Sequence, residues 1–242
     1  MKKVISFSLW GDTAKYNSGA VKNAALSREI YPDWIPRFYV GATVPRNTLR
    51  RLEELGAEIV EKREPGDWRG MFWRFEAASD PDVEAMISRD CDSRLSLREA
   101  AAVEEWMGSR FQFHIMRDHP AHCASILGGM WGVKAPLLRD MSSLIGAFAG
   151  GDFWQVDQDF LREVIFSRVR QTALIHDEFF GGRPFPTSRR GLEFVGEVFD
   201  EEDKTSTEDQ QTLARAQDAG VIGAGFRRLR LRYSMLRRPN RQ

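Results

Sequence analysis

The stretch Val83–Arg94, VEAMISRDCDSR, constrains the fold most. Its apolar run from Val83 to Ile87 breaks at Ser88 and ends in two carboxylates one residue apart, Asp90 and Asp92. Such a run reads as a buried strand, and the carboxyl end of a strand in a parallel sheet is where ligands bind. Two aspartates there can jointly hold a hard divalent cation, and that cation can carry the phosphates of a nucleotide. Acidic pairs also occur in solvated turns, so the pair gains meaning only from the rest of the chain.

At 242 residues, 42% hydrophobic and 29% charged, the chain can bury the core of one sizeable α/β domain. Lys plus Arg and Asp plus Glu both number 35, so the charge balance points neither to nucleic acid nor to an acidic substrate. Two cysteines, Cys91 and Cys123, give no disulfide framework and suit a reduced, cytoplasmic setting. The basic start MKKVISFSLWGD has an apolar run that stops at Gly11 and Asp12. That run is too short for a signal peptide or a membrane span and reads as a first strand.

Lys3–Leu9 is expected to be that strand, followed by the loop Trp10-Gly11-Asp12. Ser18 can cap a helix carrying Val21, Ala24, Ala25, Leu26 and Ile30, and Arg37–Val40 reads as a second strand. Pro45 opens a helix lined by Leu49, Leu52 and Leu55 and stopped by Gly56, and Ala57–Val60 is a third strand. This β-α-β-α-β opening predicts a parallel sheet with helices on its faces. Trp68–Ala78 reads as a helix whose aromatics belong to the core, while Arg69 and Arg74 are costly to bury unless an anion meets them.

Ser96-x-x-Glu99 is a capping box opening a helix to about Met107, and Phe111–Met116 reads as a strand. His114, His119, His122 and Cys123 match no common structural zinc spacing. Gly128-Gly129 either lets the backbone approach a ligand closely or marks a bulge in a strand. Helices are expected over Pro136–Phe148, 153–170 and 208–219, with a short strand Thr172–Ile175 delivering His176 and Asp177 at its end. From Phe226 the tail holds seven arginines and no acidic residue, with Phe226, Leu229, Tyr233 and Leu236 on one helical face. That pattern suits peripheral contact of 226–242 with an anionic membrane surface, although packing on the domain's own acidic surface is preferred. A catalytic domain over 1–190 and a helical extension over 191–242, packed on it, are expected.

The order of these parts resembles the GT-A-type glycosyltransferases, above all the glycogenin-type and related bacterial capsule or lipopolysaccharide transferases. The matching elements are the first strand with its loop (Ser6-Phe7-Ser8-Leu9-Trp10-Gly11) and a helix with an arginine ahead of the metal strand (Phe72-Trp73-Arg74-Phe75). They continue with Asp90-Cys91-Asp92, the glycines of Gly128-Gly129-Met130, an Asp157-Gln158 pair opening a helix, and the late His176. The resemblance covers Lys3 to Phe180 and leaves the last quarter uncovered.

It implies a Rossmann-type α/β sandwich with a central, mostly parallel mixed sheet flanked by helices. It implies that Asp90 and Asp92 bind Mn²⁺ or Mg²⁺ and that His176 completes the metal shell, a nitrogen ligand favouring manganese. Ser8, Trp10, Gly11, Gly128 and Gly129 would border the donor nucleotide. Arg74 would face the diphosphate or brace the aspartates, and Asp157 and Gln158 would sit beside the transferred sugar. Arg89 and Arg94, which flank the acidic pair, depart from the family pattern. Each either offsets diphosphate charge or pairs with Asp90 or Asp92 and weakens the metal site.

The implied reaction moves a sugar from a UDP- or GDP-sugar to a glycan, lipid-linked or protein acceptor. Negative charge grows on the leaving oxygen, which a cation and Arg74 would offset. In an inverting enzyme Asp157 would be the general base; in a retaining one Asp157 or Gln158 would stabilise the oxocarbenium-like sugar. The glycogenin-like look tilts towards retention. A haloacid-dehalogenase-type phosphatase is set aside, since its nucleophilic aspartate follows the first strand. The non-enzymatic alternative is a degenerate transferase that binds a glycan or a partner.

Overall fold

The computed structural model describes residues 1–151 and 153–219. β1 (Lys2–Leu9), α1 (Ala14–Ile30), β2 (Ile35–Val40), α2 (Arg46–Glu54) and β3 (Glu58–Glu61) alternate as expected. A 3₁₀ helix (Trp68–Ser79), β4 (Val83–Ser88), α3 (Leu97–Met107), β5 (Phe113–Arg117), β6 (Trp131–Lys134) and α4 (Met141–Ala147) follow. A helix over 156–169, here α5, contains one π turn at Leu161–Ile165; β7 (Ala173–Asp177) and α6 (Thr207–Asp218) come after it.

The seven strands form one sheet in the order β3-β2-β1-β4-β6-β5-β7. Every pairing is parallel except the two that β6 makes, with β4 and with β5. The chain leaves β1 towards β2 and β3, then returns to the other side of β1 as β4. That reversal opens a crevice at the carboxyl ends of β1 and β4, where bound groups meet no crossing helix.

Side-chain alternation along β1 sorts the two faces. Ile5, Phe7 and Leu9 pack with Phe38, Leu52, Val103 and Trp106 under α1, α2 and α3. Val4 joins Phe75, Met86, Trp131 and Phe160 on the opposite face, beneath the 3₁₀ helix and α5. Ser6 and Ser8 also reach the 3₁₀ helix and hold its backbone. Ser6 Oγ donates to the Arg74 carbonyl at 2.6 Å, and the Arg74 N–H donates to Ser8 Oγ at 2.9 Å.

Several local expectations change for physical reasons. Trp68–Ser79 is a 3₁₀ helix, because its backbone groups at Arg74 are drawn to the β1 serines instead of continuing an α ladder. α1 starts at Ala14, so Ser18 lies inside it, and the Asn17 amide holds its first turn by donating to the Gly11 and Thr13 carbonyls. Ser96 Oγ accepts from the Glu99 N–H at 3.2 Å, but the Glu99 carboxylate does not return the bond, being taken by Arg89 and Tyr31. Gly128 and Gly129 lie in a turn ahead of β6, which begins at Trp131. Helix α4 begins at Met141, five residues after the expected start at Pro136.

Past residue 190, Val195 is buried with Met116 and Met130, and the Phe199 N–H donates to the Asp92 carbonyl at 2.8 Å. The basic segment 226–242 lies outside the described residues. Among those described, no helix is long and apolar enough to cross a membrane.

Candidate active site

Of the residues singled out in the sequence, Ser8, Trp10, Gly11, Arg74, Asp90, Asp92, Gly128, Asp157 and Gln158 line one pocket of about 500 Å³. It sits at the carboxyl ends of β1 and β4. At its centre the buried Arg74 guanidinium bridges two acids, pairing with Asp90 and, at 3.0 Å, with Asp157 Oδ2. Burial alone would lower the Arg74 pKa; the charges of Asp90 and Asp157 overturn that and raise it. The anion that a buried arginine requires is therefore supplied within the chain. Arg69, by contrast, is exposed.

Asp92 takes a second cation, Lys15, whose Nζ lies 2.8 Å from its Oδ2. Burial and then the charge of Asp90 push the Asp92 carboxyl above its ordinary range, with Lys15 opposing. Asp157 is raised mainly by burial, with Arg74 opposing; its Oδ1 accepts from the Gln158 N–H at 2.9 Å. Asp90 is the open member, its side chain 43% exposed against 4% for Asp157.

The paired glycines serve these acids. A Cβ at Gly129 would overlap the Asp90 carboxylate, and one at Gly128 would fall 2.5 Å from Asp157 Oδ2 and 2.6 Å from Arg74 Nη2. Ser88 Oγ fixes that turn by donating to the Gly128 carbonyl at 2.7 Å. What approaches closely here is the backbone to the site's own charged groups, and no bulge is involved.

Gly129 stands behind Asp90 and does not line the pocket, and two further expected members lie elsewhere. Arg89 is 2% exposed and points under α3, its Nε on Glu99 Oε1 at 3.0 Å, where Tyr31 also donates. It neither lines the pocket nor touches Asp90 or Asp92, because the side chain falls on the face opposite to the site; the donor-binding role expected of it is not supported. Arg94 pairs with Asp203 at 2.9 Å. His176 is corrected in the same way: β6 and β5 stand between β7 and β4, a separation of roughly 14 Å at the usual strand spacing. His176 is fully buried, its Nδ1 2.8 Å from His114 Nε2 and its Nε2 3.5 Å from Glu105. It does not complete a shell with Asp90 and Asp92.

Sequence reasoning missed Lys15, Gly19, Asn23 and Trp154. A Cβ at Gly19 would overlap the Cys91 carbonyl, so α1 can pass close to the acidic loop only there. Asn23 clamps that loop, donating to the Ser93 carbonyl at 2.8 Å and accepting from the Leu95 N–H at 3.0 Å. A glycine and an asparagine one turn apart in a helix, where neither is favoured, were the available signal. Trp154 lines the pocket mouth. Among the described residues no cluster of three His, Cys, Asp or Glu side chains is disposed to hold a metal ion.

No protein-family model and no curated protein matches the sequence. One solved structure shares its architecture. A glycosyltransferase involved in glycosylation of the major capsid of PBCV-1 is 15% identical over 74% of this chain and 82% of its own, with a TM-score of 0.50. Glucosyl-3-phosphoglycerate synthase from Mycobacterium tuberculosis, in complex with Mn²⁺, UDP-glucose and glycerol 3-phosphate, is 14% identical over 78% of this chain and 73% of its own, at a TM-score of 0.47. The fold is the GT-A type, a mixed α/β sandwich around the seven-stranded sheet.

Proposed function

We propose that this chain is a glycosyltransferase that takes a sugar from a nucleoside-diphosphate sugar with the help of a divalent cation. The observation that carries the reading is the charge inventory of the pocket. Among the described residues Asp90, Asp92 and Asp157 line it with one arginine, and even with Lys15 counted the acids exceed the bases by one. A diphosphate would enter such a pocket only with added positive charge, because like charges in a half-buried cleft repel strongly. The donor set is all hard oxygen, and a magnesium- or manganese-like ion needs only one or two carboxylates when phosphate oxygens complete its shell. The residues present fit such an ion, held by Asp90 and Asp92.

When bound, the cation would supply Lewis-acid stabilisation of the leaving diphosphate. The chain's own groups do the rest. Arg74 fixes Asp90 and Asp157 relative to one another, and Ser6 and Ser8 fix Arg74, so the charges are set before the donor arrives. Trp10 and Gly11, at the end of β1, border the nucleoside. Ser8 lines the pocket, its Oγ accepting from the Arg74 backbone N–H while its O–H keeps a proton to donate towards the nucleotide.

Both oxygens of Asp157 already accept hydrogen bonds, from Arg74 and from Gln158. That favours a carboxylate that holds positive charge on the sugar over one that removes a proton, and with it a retaining outcome. The test is hydrolysis of a panel of UDP- and GDP-sugars with Mn²⁺, Mg²⁺ or EDTA. We expect metal-stimulated release of UDP or GDP from at least one donor, lost in D92A; the same turnover in D92A would overturn the reading.

A second reading has one observation in its favour: Lys15 and Arg74 already neutralise the acidic pair. A transferase-like protein that binds a glycan or partner without turnover would look the same, and would show no metal-dependent nucleotide binding in the same panel.

A further inference from the structure

Resting on the transferase reading, we propose that the acceptor is a neutral saccharide whose ring stacks on Trp154 at the mouth of the pocket. Large exposed apolar side chains are sparse among the described residues, and four of the seven lie there. Tyr16 (41% exposed), Trp68 (43%), Trp154 (63%) and Val198 (39%) all line the pocket. Apolar surface collected at a polar-rimmed cleft is a ligand-binding feature rather than scattered exposure.

Two substrates must share this mouth, and the apolar groups divide accordingly. Trp68 opens the 3₁₀ helix that packs on Trp10, with Gly70 so close that a Cβ there would be 3.0 Å from the Trp10 ring. That side belongs to β1 and the nucleoside. Trp154 lines the pocket three residues ahead of Asp157, beside which donor sugar and acceptor hydroxyl must meet. Gln155 between them is left-handed, with φ 73° and ψ 14°, a backbone state that costs a non-glycine residue free energy and clusters at functional sites. This conformation puts both Trp154 and Gln155 on the pocket wall.

Charge selects the class of acceptor. Both terminal nitrogens of Arg74 are committed to Asp90 and Asp157, and Lys15 is committed to Asp92. Among the described residues, no cation lining the pocket is left for a phosphate or carboxylate on the acceptor. What the wall offers instead is the face of an indole, which suits the C–H face of a pyranose, and the amides of Gln155 and Gln158 for its hydroxyls.

Saturation-transfer NMR tests this on the full chain with UDP and the diamagnetic Mg²⁺. The probes are methyl α- and β-hexopyranosides and the corresponding hexose 6-phosphates. We expect transfer to ring C–H protons of at least one neutral glycoside and none to the phosphates. W154A should weaken that binding about tenfold and W154F restore most of it. The dissociation constant of UDP, measured alongside, should change far less, giving a split that general unfolding would not produce. Stronger transfer to a hexose phosphate, no transfer to any neutral glycoside, or binding indifferent to W154A would overturn the proposal. If neither UDP nor GDP binds the wild type with Mn²⁺, the transferase reading fails and takes this one with it. Nucleotide binding without dependence of the glycoside on Trp154 defeats this proposal alone.

Discussion

Two polar clusters sit on the strands of this sheet and have opposite fates. At β1 and β4, Asp90, Asp92 and Asp157 open onto a pocket, each acid carrying a basic partner. At β5 and β7, His114 and His176 are fully buried, hydrogen-bonded to each other, with Trp106 stacked on His114 at 5.3 Å and Phe185 against His176 at 5.5 Å. The first cluster lies where the strand order reverses and the crevice is left uncovered. The second lies where α3 covers the sheet. A polar residue at a strand end becomes a site or a piece of core according to the place of its strand in the sheet, which local sequence does not encode.

The largest effect that would break this contrast is on turnover. D92A should lower donor hydrolysis at least about a thousandfold, some ~4 kcal/mol of barrier, whereas H176A should keep its response to Mn²⁺. A similar loss of metal response in H176A would merge the two clusters. Next comes R74M, which leaves Asp90 and buried Asp157 without their shared counter-charge. It should cost about 3–5 kcal/mol of stability by urea unfolding. H176A should cost about 1–3 kcal/mol in the same measurement, since it orphans His114 and opens a cavity, with nucleotide affinity preserved.

The smallest effect is the pH dependence. Burial lowers the pKa of His114, His119, His122 and His176, in the case of His122 to about 3 from an ordinary 6.5. The unfolded chain then binds protons that the folded chain refuses, so stability is full above pH 6.5 and is lost as pH falls towards 3. Each titrating histidine contributes a slope of at most ~1.4 kcal/mol per pH unit. Asp92 and Asp157 act in the opposite sense, since their raised pKa values make stability fall as pH rises from about the ordinary 3.8. Melting temperatures from pH 4 to 7 should therefore rise with pH; a flat profile would mean that the histidine cluster is not sealed.

Much of the fold was legible because its signals are local. The alternation Ile5-Ser6-Phe7-Ser8-Leu9, the Gly56 stop with φ 80° and the Ser96 cap each specify their element without help from distant chain. Arg74 was legible as needing an anion, and the acidic pair as a strand-end feature. Which anion, and which histidine or arginine would join, depended on sheet order and on strand face. Arg89 precedes Asp90 by one residue and yet lies on the other side of the sheet, buried on Glu99. Lys15 and Trp154 were invisible for a different reason: a lysine or tryptophan in a loop or first turn carries no sequence mark that separates a site from ordinary surface.

The central claim is that Asp90 and Asp92 hold a divalent cation that in turn carries a diphosphate. Isothermal titration of UDP and of GDP into the wild type and D92N, each with Mn²⁺ and with EDTA, tests it most directly. The account predicts that one nucleotide binds the wild type at least about tenfold more tightly with Mn²⁺ than with EDTA, and that D92N erases this difference. Equal affinity with and without metal in the wild type, or an undiminished metal effect in D92N, would contradict it.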